Sequence, residues 1–241
     1  PHAPIVPTAE FTGRSRAGGY GDFVSQTDAT VGAVLEALAA RGVLDDTLII
    51  FTADNGPESY AYDRVRATGH RSMGPLRGLK RDLWEGGHRV PFVARWPGHV
   101  PAGRTEDGLV GQIDLYATIA GFVSARIPAG TGPAASAEDS IDQRACFTGT
   151  GPSARDTLVH NTNPKGYAIR HGDWVLIDAP TGGVSKVPPW YDEANGYTRN
   201  TQPGELYNLR DDLPQKHNLY ASEPDRVADL RRRLQELVGN R

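Results

Sequence analysis

The residues Thr47-Leu48-Ile49-Ile50-Phe51-Thr52 form one continuous apolar run, which Ala53-Asp54-Asn55-Gly56 follow directly. The length of the run and its branched side chains are typical of a strand buried on both faces. Upstream, apolar residues recur at three- and four-residue steps, which predicts an amphipathic helix that begins near Tyr20 and stops at Gly42. A helix, a short loop and a buried strand in this order indicate an α/β fold with a mostly parallel sheet flanked by helices. The positions of the apolar stripe are Phe23, Val24, Thr27, Val31, Val34, Leu35 and Leu38.

Composition divides the rest of the chain. Residues 54–88 are rich in Gly, Arg and His and are interpreted as a long functional loop, while residues 90–96 predict another strand. Asp114 is expected to cap a short helix. We predict the C-terminal part of an α/β catalytic domain over residues 1–123, a linker or surface excursion over 124–155, and a small C-terminal α+β subdomain over 156–241.

The predicted C-terminal subdomain is an antiparallel sheet with one helix. His171-Gly172-Asp173 is a plausible hairpin turn between two of its short strands. Ser222 is expected to start the helix, with Asp225 as its capping partner. The predicted strands are 157–160, 167–170, 174–177 and 205–209, and the predicted buried stripe of the helix is Val227, Leu230, Leu234 and Leu237.

The bulk composition excludes several classes of protein. The chain has 241 residues, 38% of them hydrophobic, and a formal net charge of −3, so a sizeable core is expected and a nucleic-acid partner is not. No apolar run approaches the roughly 18 residues of a membrane span. The single cysteine, Cys146, can form no intrachain disulfide.

Asp54 and Asn55 are the first candidate site residues. They follow the carboxyl end of the predicted strand, where open α/β sheets bind ligands, and they offer the hard oxygen ligands that suit Ca²⁺ or Mg²⁺. Since Asn-Gly is also a favoured turn pair, a simple turn remains an alternative for these two residues.

Cationic residues supply the second set of candidates. Lys80 offers a compact positive charge for an oxyanion, and His2 lies in a segment stiffened by prolines, where it could donate a proton. His70 and Arg71 lie in the same loop region as Lys80 and are further candidates for contacting an anionic substrate. Each of these residues could instead be an ordinary solvated loop residue.

Taken together and in order, these segments resemble the type I sulfatase, or arylsulfatase, family of the alkaline-phosphatase-like superfamily. The matching segments are Pro1–Pro4, Phe51–Pro57, Leu76–Lys80, Trp84–Pro91, Gln112–Thr118, Ala168–Trp174 and Glu205–Leu209. Each motif is modest, but the ordered set is specific. The chain is therefore identified as similar to the C-terminal portion of such enzymes.

The resemblance implies roles at the matching positions. Asp54 and Asn55 would be ligands of Ca²⁺, with Mg²⁺ a poorer fit. Lys80 and His2 would contact the sulfate group, and His2 would also protonate the leaving alcohol. The residue chemistry agrees, because a sulfate ester needs its developing charge neutralised and its leaving alkoxide protonated.

The resemblance also implies parts that this chain does not supply. The family nucleophile is a formylglycine made within a Cys/Ser-X-Pro-X-Arg motif, and Cys146 lies in Arg144-Ala145-Cys146-Phe147-Thr148, which does not match. We expect the nucleophile and two further acidic ligands in a missing N-terminal half of the same protein. The 241-residue chain alone is then predicted to be inactive.

The expected function is hydrolysis of a sulfate ester, on a sulfated carbohydrate or an aryl-type substrate. Two alternatives stay open: a phosphatase or phosphodiesterase of the same superfamily, and a non-catalytic relative that binds sulfated glycans. Trp190, Tyr191 and Tyr197 could line a carbohydrate cleft or could simply pack. Many relatives are exported, so a periplasmic or extracellular location is expected from the resemblance alone.

Overall fold

The computed structural model of the chain describes residues 1–127, 137–162 and 166–239. Residues 128–136 of the predicted linker lie outside these ranges. The helices are α1 (Gly18–Ala40), α2 (Ala61–Thr68), α3 (Glu85–His88), α4 (Leu115–Phe122), α5 (Arg144–Thr148), α6 (Pro189–Asn195) and α7 (Pro224–Gly239). The strands are β1 (Ile49–Thr52), β2 (Phe92–Arg95), β3 (Thr157–Thr162), β4 (Gly166–His171), β5 (Trp174–Ile177) and β6 (Glu205–Asn208).

The α/β character of the N-terminal part is confirmed, but the prediction of a mostly parallel sheet is not. Strands β1 and β2 form an antiparallel pair, in which Ile49 lies opposite Arg95 and Thr52 opposite Phe92. An apolar run reports burial and not the direction of the neighbouring strand, which explains the difference. Phe51 is 40% exposed, so the described chain does not bury this strand on both faces.

The antiparallel C-terminal sheet is confirmed. Its strand order is β3-β4-β5-β6, and the hairpin between β4 and β5 turns at Gly172, whose φ is 56°. Alternate residues along the strands face opposite sides, as the pleat requires. Ile169, Leu176 and Leu206 pack with the buried stripe of α7 on one side of the sheet.

The other side of this sheet packs against the segment that follows Lys80. Leu83 and Trp84, which are 1% and 4% exposed, join a buried cluster with sheet residues. The sheet residues of that cluster are Ala168, Val175, Ile177 and Tyr207. The C-terminal sheet therefore lies between α7 and the segment that carries Leu83 and Trp84.

Four short helices, α2, α3, α5 and α6, were not predicted. Helix α2 falls within the predicted loop 54–88 and carries only a short apolar face, of which Ala61 and Tyr62 are buried. Helix α6 begins at Pro189, and its Tyr191 packs against Tyr62 with ring centroids 4.7 Å apart. Because each of these helices spans about two turns or fewer, none gives a long periodic signal.

Three finer predictions differ from the structure. Asp114 is the N-cap residue of α4 as predicted, but its carboxylate accepts from the Gly111 and Ile141 amides and not from the amides of α4. Helix α7 begins at Pro224, and the Ser222 hydroxyl donates to the Leu219 carbonyl. Leu237 is 47% exposed, because the buried stripe steps from Leu234 to Val238.

The apolar stripe of α1 is also narrower than predicted. The helix itself is confirmed, but Val24 and Val34 are 40% and 52% exposed and flank the half-buried positions. No helix in the described ranges combines the length and the apolar character that crossing a bilayer requires.

Candidate functional site

Lys80 and His2 lie together, although 77 residues separate them in the sequence. The Nζ atom of Lys80 is 3.3 Å from Nε2 of His2. The same Lys80 ammonium is 3.0 Å from Oε1 of Glu58, and His2 Nε2 is 3.8 Å from that oxygen. The structure therefore brings the two predicted catalytic residues into one cluster with a carboxylate that the sequence analysis did not name.

The hydrogen bonding of His2 fixes its tautomer. Its Nδ1 atom is 2.8 Å from the Ala3 carbonyl, which can only accept, so Nδ1 carries a hydrogen and donates it. In the neutral ring Nε2 therefore holds the lone pair and accepts from Lys80. Nε2 is consequently the position at which His2 can gain and release a proton.

Glu58 is the anionic centre of this cluster. Its carboxylate accepts from both terminal nitrogens of Arg81, at 3.2 and 3.1 Å, as well as pairing with Lys80. Burial by itself would raise the pKa of Glu58, but the hydrogen bonds from Arg81 and Lys80 outweigh it and lower the pKa to about 2. Glu58 is therefore ionised throughout the pH range in which an enzyme works.

Arg81 reaches the same carboxylate as its neighbour Lys80 because of an uncommon backbone conformation. Its φ is 81°, in the left-handed region that residues other than glycine seldom adopt. Side chains of consecutive residues usually diverge, whereas here both point to Glu58. Residues held in such conformations cluster at functional sites.

Backbone hydrogen bonds fix the loop of Glu58 against the loop of Lys80. The Lys80 amide donates to the Pro57 carbonyl at 2.9 Å, and the Gly56 amide donates to the Gly87 carbonyl at 2.9 Å. A Cβ atom on Gly56 would lie 1.8 Å from the Gly86 carbonyl oxygen. The glycines thus allow two backbone segments to approach closely. This close approach places the ends of both loops side by side.

The C-terminal part of the chain supports the Lys80 loop. The Asp82 carboxylate accepts from the amides of Leu79, Val184 and Ser185, each at 2.8 Å. Trp84 Nε1 donates to the buried Glu205 carboxylate at 2.6 Å. The bonds to Val184, Ser185 and Glu205 join the segment after Lys80 to residues more than 100 positions later, so the C-terminal subdomain helps to hold Lys80 in place.

A buried histidine pair lies beyond this loop. The rings of His88 and His160 are 3.8 Å apart, and His160 Nε2 donates to the Leu83 carbonyl at 3.1 Å. Burial, followed by the charge of His88, lowers the pKa of His160 to about 3. Burial would raise the pKa of Glu85, but contacts with His88, Arg170 and Arg89 lower it to about 2.

Asp54 and Asn55 lie at the end of β1, at the start of the loop that leads to Glu58. Within the described residues, Asp54 Oδ1 accepts only from the Asn55 amide. Asn55 Nδ2 donates to the Gly56 carbonyl, and Asn55 Oδ1 makes no hydrogen bond with any described residue, so it is available as a ligand. Carboxylate and amide oxygens suit Ca²⁺, which takes six to eight of them. The described residues contain no group of three or more His, Cys, Asp or Glu side chains placed to hold a metal. Asp54 and Asn55 thus fit a calcium ion chemically but supply only part of its shell.

The other two predicted substrate contacts lie elsewhere. His70 follows α2, and its ring is 5.9 Å from that of Tyr20. Arg71 donates to Asn195 Oδ1 at 2.8 Å. Within the described residues neither is bonded to Lys80 or His2. Tyr191 is 3% exposed and packs in a cluster with partly buried Trp190 and Tyr197, so packing is the better interpretation of these aromatic residues.

Two residues with nucleophile chemistry are placed unfavourably. Cys146 is 5% exposed in α5, and burial raises the pKa of its thiol. Ser222-Glu223-Pro224-Asp225-Arg226 fits the pattern Ser-X-Pro-X-Arg, but it leads into α7. Since α7 packs on the face of the sheet opposite to Leu83 and Trp84, Ser222 does not adjoin the Lys80 loop.

Glu58 and Arg81 are the site residues that sequence reasoning missed. Glu58 directly follows the segment Phe51–Pro57 that carries the resemblance, and Arg81 directly follows Leu76–Lys80. Their adjacency to two motifs was the signal that could have found them. A carboxylate next to a predicted cation site is otherwise an ordinary loop residue.

Comparisons with known proteins extend over the whole chain. The family model described as Sulfatase matches residues 1–125. The chain is 31% identical to N-acetylgalactosamine-6-O-sulfatase of Bacteroides thetaiotaomicron, over 98% of this chain and 45% of that protein. It is also 31% identical to human arylsulfatase A, over 98% of this chain and 46% of that protein.

A solved structure agrees with the sequence comparisons. It was reported for glycosaminoglycan metabolism by Bacteroides thetaiotaomicron, and it matches with a TM-score of 0.81 and 30% identity over 100% of this chain and 48% of that chain. The chain thus spans a little under half the length of the relatives that it matches.

Proposed function

Because the chain belongs to the sulfatase family, we propose that it forms part of a sulfuric ester hydrolase that cleaves sulfate esters. The observation that carries this proposal is the convergence of Lys80 Nζ and His2 Nε2, 3.3 Å apart, beside the ionised Glu58. A cation and a proton donor at one point are what the departure of an alkoxide from sulfate requires.

In the proposed reaction Lys80 holds a sulfate oxygen and neutralises part of the sulfate charge. His2 acts as the general acid: a proton moves from Nε2 to the ester oxygen as the bond between sulfur and that oxygen breaks. Nδ1 keeps its hydrogen and continues to donate it to the Ala3 carbonyl, which keeps the ring oriented. Glu58 holds Lys80 beside His2 through its carboxylate.

The proposal includes a metal and a nucleophile. Asp54 and Asn55 would contribute oxygen ligands to Ca²⁺ rather than to Mg²⁺, which demands stricter geometry. When bound, the cation would neutralise negative charge on the sulfate. We place the formylglycine nucleophile and the remaining acidic ligands in an N-terminal half of the same protein, since the chain spans under half the length of its relatives. The isolated 241-residue chain is then expected not to hydrolyse sulfate esters.

A sulfated carbohydrate is the substrate class that we propose. The support is the name of the Bacteroides relative, which specifies a sulfated amino sugar, and the glycosaminoglycan context of the matching structure. We also propose His70 and Arg71 as substrate contacts away from the reacting sulfate. An exported location fits a site that depends on Ca²⁺ and acts on extracellular polysaccharide.

The test is a turnover assay of the full-length protein with an aryl sulfate. Sulfate release should require Ca²⁺, and Lys80→Ala should lower kcat/KM by roughly 100-fold or more. Lys186→Ala removes the positive charge of another, exposed lysine and should leave kcat/KM unchanged. Wild-type turnover by Lys80→Ala would contradict the assignment, and release of phosphate but not sulfate from matched esters would favour a phosphatase.

A further inference from the structure

A polar groove, separate from the Lys80 cluster, lies beside the end of α2. Its volume is about 350 Å³, and it is lined by Ser15, Arg16, Ala17, Thr68, Gly69 and His70. We propose that this groove is a distal anion-binding subsite, which holds a carboxylate or sulfate group on a sugar remote from the one being desulfated. The proposal rests on the proposed function and specifies the substrate further, as an anionic oligosaccharide instead of a single sulfated sugar.

The groove offers a cation without a partner. Arg16 is exposed and makes no hydrogen bond or ion pair with any residue that the structure describes. The ring nitrogens of His70 are likewise unbonded within those residues, although the His70 amide donates to Thr68 Oγ1 at 3.3 Å. Both side chains are therefore available to an anionic group of a ligand.

Arg64 adds a second positive charge near the groove, while the Asp22 carboxylate that accepts from Ser15 is a negative one. Arg64 lies 3.7 Å above the Tyr20 ring, which in turn contacts His70, and its guanidinium donates to the neutral Ser72 hydroxyl. No carboxylate pairs with Arg64 among the described residues. Its charge adds to that of Arg16, and the six lining residues include no acid.

The wall of the groove is held in place by a buried carboxylate. Asp22 is 3% exposed, and its two oxygens accept from the Gly13 and Ser15 amides at 2.8 and 2.7 Å. These backbone hydrogen bonds lower the pKa of Asp22, so it stays charged while it anchors the loop before Arg16. The groove thus has a fixed side and does not depend on a free loop.

The groove and the Lys80 site lie along the same boundary between two segments of the chain. The chain segment that begins at His2 touches the segment that begins at Glu58 at both ends: His2 faces Glu58 at 3.8 Å, and residues 15–17 face residues 68–70 across the groove. Helix α2, with eight residues, connects the two ends and is about 12 Å long. A single sugar cannot bridge that distance, whereas an oligosaccharide that runs along α2 can.

The experiment compares ligand lengths on the full-length protein. Sulfated glycosaminoglycan disaccharides and hexasaccharides of the same repeat serve as competitive inhibitors of aryl sulfate turnover. Wild-type enzyme should bind the hexasaccharide more tightly than the disaccharide. Arg16→Gln should weaken hexasaccharide binding about fivefold, because one exposed charge pair contributes about that much to affinity. The inhibition constant of the disaccharide and the turnover of aryl sulfate should stay unchanged.

Arg41→Gln is the matched control, because it removes an exposed charge just after the far end of the 23-residue helix α1, away from the groove lining and from α2. An equal loss with Arg41→Gln, or no change in the hexasaccharide constant with Arg16→Gln, would overturn the subsite. If the wild-type protein releases no sulfate at all, the proposed function fails. Direct calorimetric titration of the hexasaccharide into both variants then still decides whether Arg16 binds it.

Discussion

Glu58 Oε1 lies 3.0 Å from Lys80 Nζ. The two side chains come from different loops, and the pairing holds the predicted sulfate-binding cation beside His2. Arg81, with its left-handed backbone, binds the same carboxylate from the exposed side. A single half-buried carboxylate therefore contacts Lys80, Arg81 and His2. This arrangement predicts how the site responds when the carboxylate is removed.

Glu58→Gln keeps the size of the side chain but removes its charge. We expect kcat to fall about tenfold, because Lys80 loses the partner that orients it beside His2. Steady-state kinetics with an aryl sulfate measure the loss.

Glu10→Gln is the control for Glu58→Gln, since Glu10 is exposed and makes no side-chain contact within the described residues. A merely structural role for Glu58 would lower the thermal midpoint but keep the wild-type kcat at temperatures well below that midpoint. A wild-type kcat in a folded Glu58→Gln variant would therefore remove the positioning role.

Asp54→Asn tests the proposed metal site. The substitution removes a negative charge from a partial calcium shell, and we expect the Kd for Ca²⁺ in the full-length protein to rise at least tenfold. Isothermal titration with Ca²⁺ after chelation measures it. Asp46→Asn, an exposed aspartate ahead of β1, should leave the Kd as it is. Equal affinity in Asp54→Asn and wild-type protein would mean that Asp54 is no ligand.

Local patterns predicted the elements of the fold that carry strong periodicity. Helix α1, strand β1 and the four-stranded C-terminal sheet all correspond to runs visible in the sequence. The direction of β2 beside β1 was not predictable, because strand pairing depends on the path of the 39 residues between Thr52 and Phe92. Helix α2 was missed because its apolar face is too short to give a periodic signal.

The candidate site was predictable only as far as motifs extend. Lys80 and His2 were predicted from the residues and the resemblance, and the structure places them in contact. Glu58 could not be assigned, since only the folded chain shows that its carboxylate meets both. The support of the Lys80 loop by Glu205 depends on a contact across 121 positions, which no local pattern contains.

Glu205→Ala should destabilise the protein and weaken catalysis together. Glu205 is 1% exposed, and its carboxylate accepts from Trp84 Nε1, the Tyr207 hydroxyl and the Gly182 amide. Removing it leaves three buried donors without a partner, at a cost of roughly 3 kcal/mol. Thermal denaturation and aryl sulfate kinetics on the same preparation measure both losses.

Exposed Glu223→Ala provides the comparison for Glu205→Ala. The role of Glu205 in holding the Lys80 loop requires that kcat falls at a temperature well below the midpoint of the variant. A destabilised variant with wild-type kcat would restrict Glu205 to the stability of the core.

His160 should make the stability of the protein depend on pH, and the upper part of the affected range lies above the ordinary pKa of carboxylates. Its pKa is lowered from 6.5 to about 3 by burial and by the charge of His88. Between these values the unfolded chain binds more protons than the folded one, so the stability is fully present above pH 6.5 and is lost as the pH falls towards 3.

His160→Gln removes this titration, and the free energy of unfolding should then change less between pH 7.5 and 5.5 than in the wild type. Urea denaturation at the two pH values measures the difference. His217→Gln, an exposed histidine, should keep the wild-type slope. The comparison stays above pH 5 because Glu58 and Glu85, with pKa values of about 2 in the fold, lose their own stabilisation only below their ordinary value of 4.5. A wild-type slope in His160→Gln would mean that the ring is solvated and titrates as in the unfolded chain.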